Sequence, residues 1–355
     1  MSHLKVRAGI AAFAATLLTT GLTAGLTAAP ADAARGDDGA ADWLVTQLDG
    51  GLVHNDQFDF DDYGLTADVA LALDAVGGHR KAERRIRKAL ARNVDSWTTG
   101  ADFGSSDVYA GSVAKAVVVA QATGGKPRAF GGVDVVARLN RLVVKTGPAR
   151  GRIADKTTGT DYANTIGQAF AVQGLAKARS SQAAKALRFL LQQQCGAGYF
   201  RLSFAPVEQS NQACTNAPKA QRVADTDATA LSLLSLQSLR VKPPKVKAAI
   251  ADGVRWLRRQ QKPNGSFGGG PSTAASNANS TGLAAWVLGE AGACKPAARA
   301  AGWVAKLQKK NGAIAYDKAG FAAGRDGIGR TERDQFRRAT AQAAPGLAFR
   351  SSCRA

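Results

Sequence analysis

The chain has 355 residues, 47 Lys and Arg against 27 Asp and Glu, a net charge of +20, and four cysteines. That length exceeds one small core and suits a repeat or barrel-like domain. Such a charge points to an anionic partner (nucleic acid, a membrane surface or an acidic wall polymer), and its distribution decides among them.

In chain order, Lys5 and Arg7 precede an apolar stretch from Ala8 to Leu26, and Ala31-Asp32-Ala33 supplies the small residues a signal peptidase reads. The stretch is short and broken by Gly21 and Gly25, so a cleaved signal peptide over 1–33 is expected rather than a transmembrane anchor. No later segment is long and apolar enough to span a bilayer. The mature chain, 34–355, is expected to be exported, soluble and monomeric, with a single domain.

Two kinds of helical segment then alternate. The first kind is amphipathic and spans roughly 41–48, 81–93, 133–145, 182–194, 246–261 and 297–309. In the second of these, Arg84, Arg85, Arg87, Lys88 and Arg92 surround the apolar positions Ala82, Ile86, Ala89 and Leu90. Arg255, Arg258, Arg259 and Lys262 do the same around Val254 and Leu257. The positive charge is therefore the solvent face of outer helices. No basic run is interleaved with aromatics as a nucleic-acid groove requires, so no specific nucleic-acid partner is expected. Glycine follows most of these segments and stops them.

The second kind is apolar almost all round, as in ALSLLSLQSL and GLAAWVLGEAG, and a helix without a polar face is buried on every side. Each begins at a repeated pair, a polar residue four positions before a small or hydroxyl residue. The pairs are Asp62/Thr66, Asp107/Gly111, Asp161/Thr165, Asp225/Thr229 and Asn277/Thr281. A sixth, Phe336/Thr340, keeps the threonine and loses the acid. Asp or Asn at a helix head accepts hydrogen bonds from the free N–H groups of the first turn and favours the positive end of the dipole. The interval between units is that of one helical hairpin with its loops. Six outer and six inner helices make an all-α fold, an (α/α)6 toroid of six helical hairpins. An open superhelix of hairpins uses the same pattern.

Four cysteines in an exported chain are expected to pair, as Cys195–Cys214 and Cys294–Cys353 among three connectivities. A thioester at QQQCGAG is excluded, because Gly198 stands where its glutamine partner would be needed.

The ends of the outer helices carry a further motif. WLRRQQKPNGSFGG, from Trp256, has an aromatic, a glutamine four residues later and then Gly-x-aromatic. FLLQQQCGAGYF repeats it from Phe189 through Gln193, WLVTQLDGG starts it at Trp43 and Gln47, and WVAKLQKKNGAIAY is looser, with Gln308 five after Trp303. This resembles the prenyltransferase/squalene-oxidase repeat of terpene cyclases and their relatives. Glutamine at a helix end can bond the free carbonyls while the aromatic packs beneath the next hairpin. The hairpins at Ile86 and Leu139 lack the motif. The resemblance implies the toroid; the fold serves cyclases, protein prenyltransferases, cobalamin carriers and thioester domains alike.

Squalene-type cyclases carry Asp-x-Asp-Asp-Thr-Ala, whose middle aspartic acid protonates the substrate. Here Asp225-Thr226-Asp227-Ala228-Thr229-Ala230 matches, which places Asp227 on the acid position. Ala228 replaces the following aspartate, aromatic residues are only 6% of the chain, and those cyclases place the site between two helical domains. The other reading makes Asp225 the cap and Asp227 a first-turn carboxylate favoured by the dipole. The positions aligned with Asp227 are Gly64, Tyr109, Ala163, Asn279 and Arg338. With inner-helix heads gathered at one mouth, Tyr109, Asp227, Asn279 and Arg338 form a polar rim suited to a ligand.

The prenyltransferases hold zinc with aspartate, cysteine and histidine, whereas His3, His54 and His79 have no cysteine nearby, so no metal and no cofactor are expected. Asp59, Asp61 and Gly64 open like a calcium loop, but Ala70 stands at the bidentate position. For sugar chemistry, Glu83, Glu208, Glu290 and Glu332 lie away from the inner-helix heads, which leaves only an aspartate pair such as Asp161 with Asp225. The expectation is a non-catalytic module that binds a small polar or amphipathic ligand and is held by its basic surface on an anionic cell-envelope polymer. The alternative is a terpene cyclase-like enzyme, an isomerase or lyase, with Asp227 as proton donor.

Overall fold

The computed structural model describes residues 31–351, with side chains from Asp38 onward. Most of the expected leader lies outside these residues. In chain order, α1 (Ala31–Thr46) leads to α2 (Tyr63–Val76), and α3 (Arg80–Arg92) with the short α4 (Val94–Thr98) leads to α5 (Ala110–Ala122). Then α6 (Val135–Leu142) leads to α7 (Thr165–Lys177), and α8 (Ala183–Gln192) to α9 (Thr226–Gln237). Next α10 (Pro244–Gln260) leads to α11 (Ala278–Glu290), and α12 (Cys294–Ala305) with the short α13 (Lys318–Ala323) to α14 (Arg330–Leu347). A two-stranded hairpin, β1 (His54–Asn55) and β2 (Phe60–Asp61), precedes α2.

The apolar helices α2, α5, α7, α9 and α11 and the apolar C-terminal half of α14 form the inner layer, and each helix packs on the next. The last, α14, packs on α2, so the ring closes and an open superhelix is excluded. The outer layer closes in the same sense. Gly198 follows α8 with φ +103°, and a Cβ there would stand 2.5 Å from Asp252 O on α10. Gly312 follows α12 with φ +94°, and a Cβ there would stand 1.9 Å from Gly39 O on α1. Only glycine permits both the backbone conformation and this approach. The amphipathic pattern reads through directly on α3, where Ile86 and Leu90 are buried while Arg84 and Arg85 are exposed.

The helix-head pairs have one physical task. Asp62, Asp225 and Asn277 each accept from a first-turn N–H, at Leu65, Ala228 and Ser280, at 2.7–2.8 Å. The threonine four residues on donates to the cap's own carbonyl and accepts an N–H from the preceding loop. Val53 N reaches Thr66 Oγ1 at 2.8 Å, Phe200 N reaches Thr229 at 2.9 Å, Phe267 N reaches Thr281 at 3.0 Å and Ile314 N reaches Thr340 at 2.8 Å. These hydroxyls are buried; the first three stitch each loop to the head of the helix it feeds, and Thr340 ties its loop to the middle of α14.

Two of the expected pairs are out of register. The cap of α7 is Asn164, not Asp161, and Gln168 takes the threonine's place by accepting from Ile153 N at 2.8 Å. In α5 the cap position is Tyr109, and its role passes to Asp155, which reaches over from the next loop to accept from Ala110 N at 2.6 Å. The sixth inner helix begins well before Phe336, at Arg330.

The glutamine motif is also shifted by one. Gln194 Nε2 donates to Gly198 O and Ala249 O, Gln261 Nε2 to Gly265 O and Pro296 O, and Gln308 Nε2 to Gly312 O. The working glutamine is thus five residues after its aromatic, and the looser copy at Trp303 shows the true spacing. Each such side chain ties a turn to its own helix end, and Gln194 and Gln261 also reach the next outer helix. Gln193 turns inward instead, and its Oε1 accepts from the fully buried Arg201 at 2.9 and 3.0 Å. Cys195 and Cys214 are joined, which pins the irregular segment that Arg201 fills. Cys353, the expected partner of Cys294, lies outside the described residues.

Candidate functional site

Each inner helix turns one face toward the ring's axis, and the three- and four-residue spacing of a helix identifies it. On α9 that face carries Asp227, Leu231, Leu234 and Ser238, and on α11 it carries Asn279, Leu283, Trp286 and Glu290. All but Asp227 and Asn279 line a central cavity of about 320 Å³. Leu71 of α2, Val118 of α5, Phe170 of α7 and Gln342 of α14 complete the wall, so every inner helix contributes. The wall is apolar, with Phe170 and Trp286 as its aromatic members. Toward the C-terminal ends of the helices it becomes polar, with Asp74, Gln173, Gln237 and Glu290. Gln237 Nε2 donates to Val287 O at 3.3 Å, while its Oε1 is buried without a partner. Burial pushes the Asp74 carboxyl above the usual range, opposed by the charges of Lys177 and Arg80.

One turn toward the N-terminal mouth, Lys115 pairs with Asp68 at 2.6 Å, donates to Gly64 O at 3.1 Å and stands 5.8 Å from the centre of the Phe170 ring. Asp227 lies at that mouth, one turn before Leu231, and does not line the cavity. Its Oδ1 is buried with no hydrogen-bond partner. The backbone of Gly269 lies against it, since a Cβ there would be 2.9 Å from Asp227 Oδ2, 3.1 Å from Ser280 Oγ and 2.3 Å from Thr273 Oγ1. Burial, reinforced by the neighbouring charge of Asp225, pushes the Asp227 carboxyl up to about 6. Ser280 Oγ tempers the shift from close by. It stops short of a hydrogen bond, because Ser280 Oγ is itself without a partner. Tyr316 completes the surroundings, its phenol raised by burial and by the Asp227 charge.

Asn279 occupies the matching position on the adjacent helix, and its Oδ1 is likewise buried and unpartnered. Arg338 is already engaged: it bonds Asp334 at 2.7 Å and pairs with Asp62, locking the last inner helix to the head of the first. Tyr109 turns its hydroxyl toward the Gly100 backbone in the preceding loop. Because of the register shifts, the axis positions on α5 and α7 are Gly111 and Ile166 rather than Tyr109 and Ala163. The four expected rim residues therefore reduce to Asp227 and Asn279 as a pair with free acceptors. Asp161 is neutralised by Arg152 at 2.6 Å and accepts from Asp155 N and Ala163 N, so it forms no acid pair with Asp225. His54 is held between Asp61 at 3.0 Å and Asp59 at 3.2 Å, which raises its pKa and braces the β-hairpin. Among the described residues no cluster of three or more metal-ligating side chains occurs, and no helix is long and apolar enough to cross a membrane.

No protein-family model matches the sequence, and neither does any curated protein. The solved structure of the type II terpene cyclase MstE from Scytonema matches with a TM-score of 0.62 at 17% identity, over 89% of this chain and 97% of that one. The fold is that of the terpene cyclase-like α/α toroids. A protein from Actinoplanes matches this toroid with a TM-score of 0.62 at 16% identity, over 90% of this chain and all of that one (100%). Unsaturated glucuronyl hydrolase from Bacillus sp. GL1 matches at 0.57 and 12%, over 90% and 95%. A ring that serves both a cyclase and a sugar hydrolase fixes no chemistry, so the toroid's own cavity carries the functional argument.

Glu290, Gln237 and Trp286 are the site residues that sequence reasoning missed. The signal was present: Glu290 follows Asn279 by 11 residues, three helical turns along the same face.

Proposed function

We propose that this toroid binds a small amphipathic molecule in its central cavity, with the apolar part against Leu231, Leu283 and Trp286 and the polar part at the C-terminal mouth. The observation that carries this reading is the cavity itself, enclosed by all six inner helices, apolar within and polar at its rim. MstE has been solved with geranylgeranyl dihydroxybenzoate, a molecule with an apolar chain on a polar head, which supports an amphipathic ligand for this fold. Trp286 is the cavity's own reporter. Saturable quenching of tryptophan emission by decanol, absent in Trp286→Phe, is the expected result; unchanged emission through decanol's solubility limit refutes the reading.

A second reading rests on Asp227, an acid that retains its proton at mildly acidic pH and has a free, buried oxygen. Such a group suits proton transfer to an apolar substrate. It is tested by incubating the mature protein with polyprenyl substrates: a cyclised product lost in Asp227→Asn establishes catalysis, and no product from the unsubstituted protein rejects it. The leader and the basic outer helices support export and retention on an anionic cell-envelope polymer. Retention should fall steeply with salt, and salt-independent retention would count against it.

A further inference from the structure

A groove of about 660 Å³ lies beside the central cavity, between the C-terminal end of α7, the start of α8 and the turn joining α9 to α10. Gln173 and Ser238 line both spaces, so the two adjoin. The groove floor is apolar, formed by Val172, Ala176, Leu187 and Leu239, and Val241 at its edge is 73% exposed. Three cations stand along it: Lys177, Arg179 and Arg240. All three are exposed, and neither Arg179 nor Arg240 has an ion-pair partner among the described residues. The acids of the mouth lie elsewhere, Asp74 on α2 and Glu290 on α11, with Lys177 facing Asp74. Lys177, whose Nζ donates to Gln121 O at 3.4 Å, therefore belongs to the acidic side, and Arg179 and Arg240 are the cations left to the groove.

The backbone at Arg179 adds an independent sign. Its φ is +53°, in the left-handed region that side chains avoid. The turn demands this conformation, since Ser180 N reaches back to Leu175 O at 2.9 Å and Arg179 N bonds Ala176 O at 3.1 Å. The equivalent turns after α5 and α11 place Gly124 and Gly292 at this position, both with φ +71°. The turn after α7 thus puts an arginine where those after α5 and α11 have glycine, whereas the turn after α9 has Leu239 outside the left-handed region. The side chain that replaces glycine at this turn borders the groove.

We infer that the groove holds the anionic head, a carboxylate or phosphate, of a single-chain amphiphile whose apolar chain enters the central cavity. The inference rests on the cavity reading above and adds its head-group specificity. Arg179 and Arg240 present the forked donors that carboxylate and phosphate oxygens take. The exposed Val241 borders the first methylenes.

The test compares decanoate, decyl phosphate and decanol, equal in chain and different in head, by Trp286 emission at neutral pH. The full mature chain binds decanoate or decyl phosphate more tightly than decanol, and added salt weakens only the anions. Whichever anion binds more tightly identifies the head. Arg179→Gly and Arg240→Gln each weaken binding of that anion about tenfold and leave decanol unchanged. Arg179→Gly suits the turn better than the native residue, so loss of binding in a variant that is no less stable cannot come from misfolding. Equal affinity for all three probes, or variants that bind the anions as the native chain does, overturns the head-group site and leaves the cavity standing. Failure of all three to bind overturns both.

Discussion

Replacing Asp227 with asparagine keeps the shape of the side chain and removes its charge. In the folded chain the carboxyl titrates near 6, because burial and Asp225 disfavour the ionised form. In the unfolded chain it titrates near the ordinary aspartate value of about 3.9. The folded state therefore holds this proton more tightly, and between about pH 4 and 6 it carries more protons than the unfolded state. Stability contributed by this group is full below about pH 4 and falls as pH rises through 6. The difference of about two pH units corresponds to about 3 kcal/mol, an upper value because the residue keeps some contact with solvent. Asparagine carries no such dependence. Urea denaturation followed by circular dichroism, run on both chains at pH 4, 5, 6 and 8, yields the difference in unfolding free energy. The variant should match the native chain at pH 4 and exceed it at pH 8 by up to about 3 kcal/mol, with most of the change below pH 6. Asp74 and Asp155, whose carboxyls are also raised by burial, are present in both chains and cancel. A difference independent of pH would refute the assignment of a buried, elevated acid.

Thr229→Val keeps the volume and removes the acceptor for Phe200 N; an unsatisfied buried N–H should cost about 1–3 kcal/mol in denaturant unfolding. Removing the Cys195–Cys214 link, which closes a loop of sequence separation 19, should lower stability by about 3 kcal/mol in the chain-entropy model, measured against the oxidised chain. Gly312→Ala places a methyl where Gly39 O lies and should loosen the seam between α12 and α1. Amide exchange should rise in α1 first, whereas a uniform rise across the ring would show that this seam is not a separate closure.

Much of the ring was legible in the sequence because its repeat is set by local chemistry. Asp62, Asp225 and Asn277 cap their helices where the helix-head pattern puts them, and Thr66, Thr229, Thr281 and Thr340 follow at the fixed distance. The exceptions arise where a distant residue takes over a local role. Asp155 serves the head of α5 from 45 residues away, so nothing near Tyr109 announces the change of register. At α7 a glutamine replaces the threonine, and Asp161 three residues upstream mimics the cap while serving Arg152. The glutamine motif misled by one residue because Gln193-Gln194 and Gln260-Gln261 are adjacent pairs, and only the direction of each side chain separates them. The central cavity was hidden for a different reason. Whether Glu290 or Trp286 faces the axis depends on the phase of α11 within a closed ring, and closure is a tertiary fact. Arg179 was invisible for want of its backbone angle.

The most direct test of the ligand cavity is a fluorescence titration of the mature chain with a series of straight-chain alcohols. Each added methylene buried against Leu231, Leu283 and Trp286 should contribute about 0.8 kcal/mol, which tightens Kd about fourfold until the cavity is filled. The signal should vanish in Trp286→Phe. Binding that does not depend on chain length, or emission that survives unchanged without Trp286, would contradict a ligand seated in this ring.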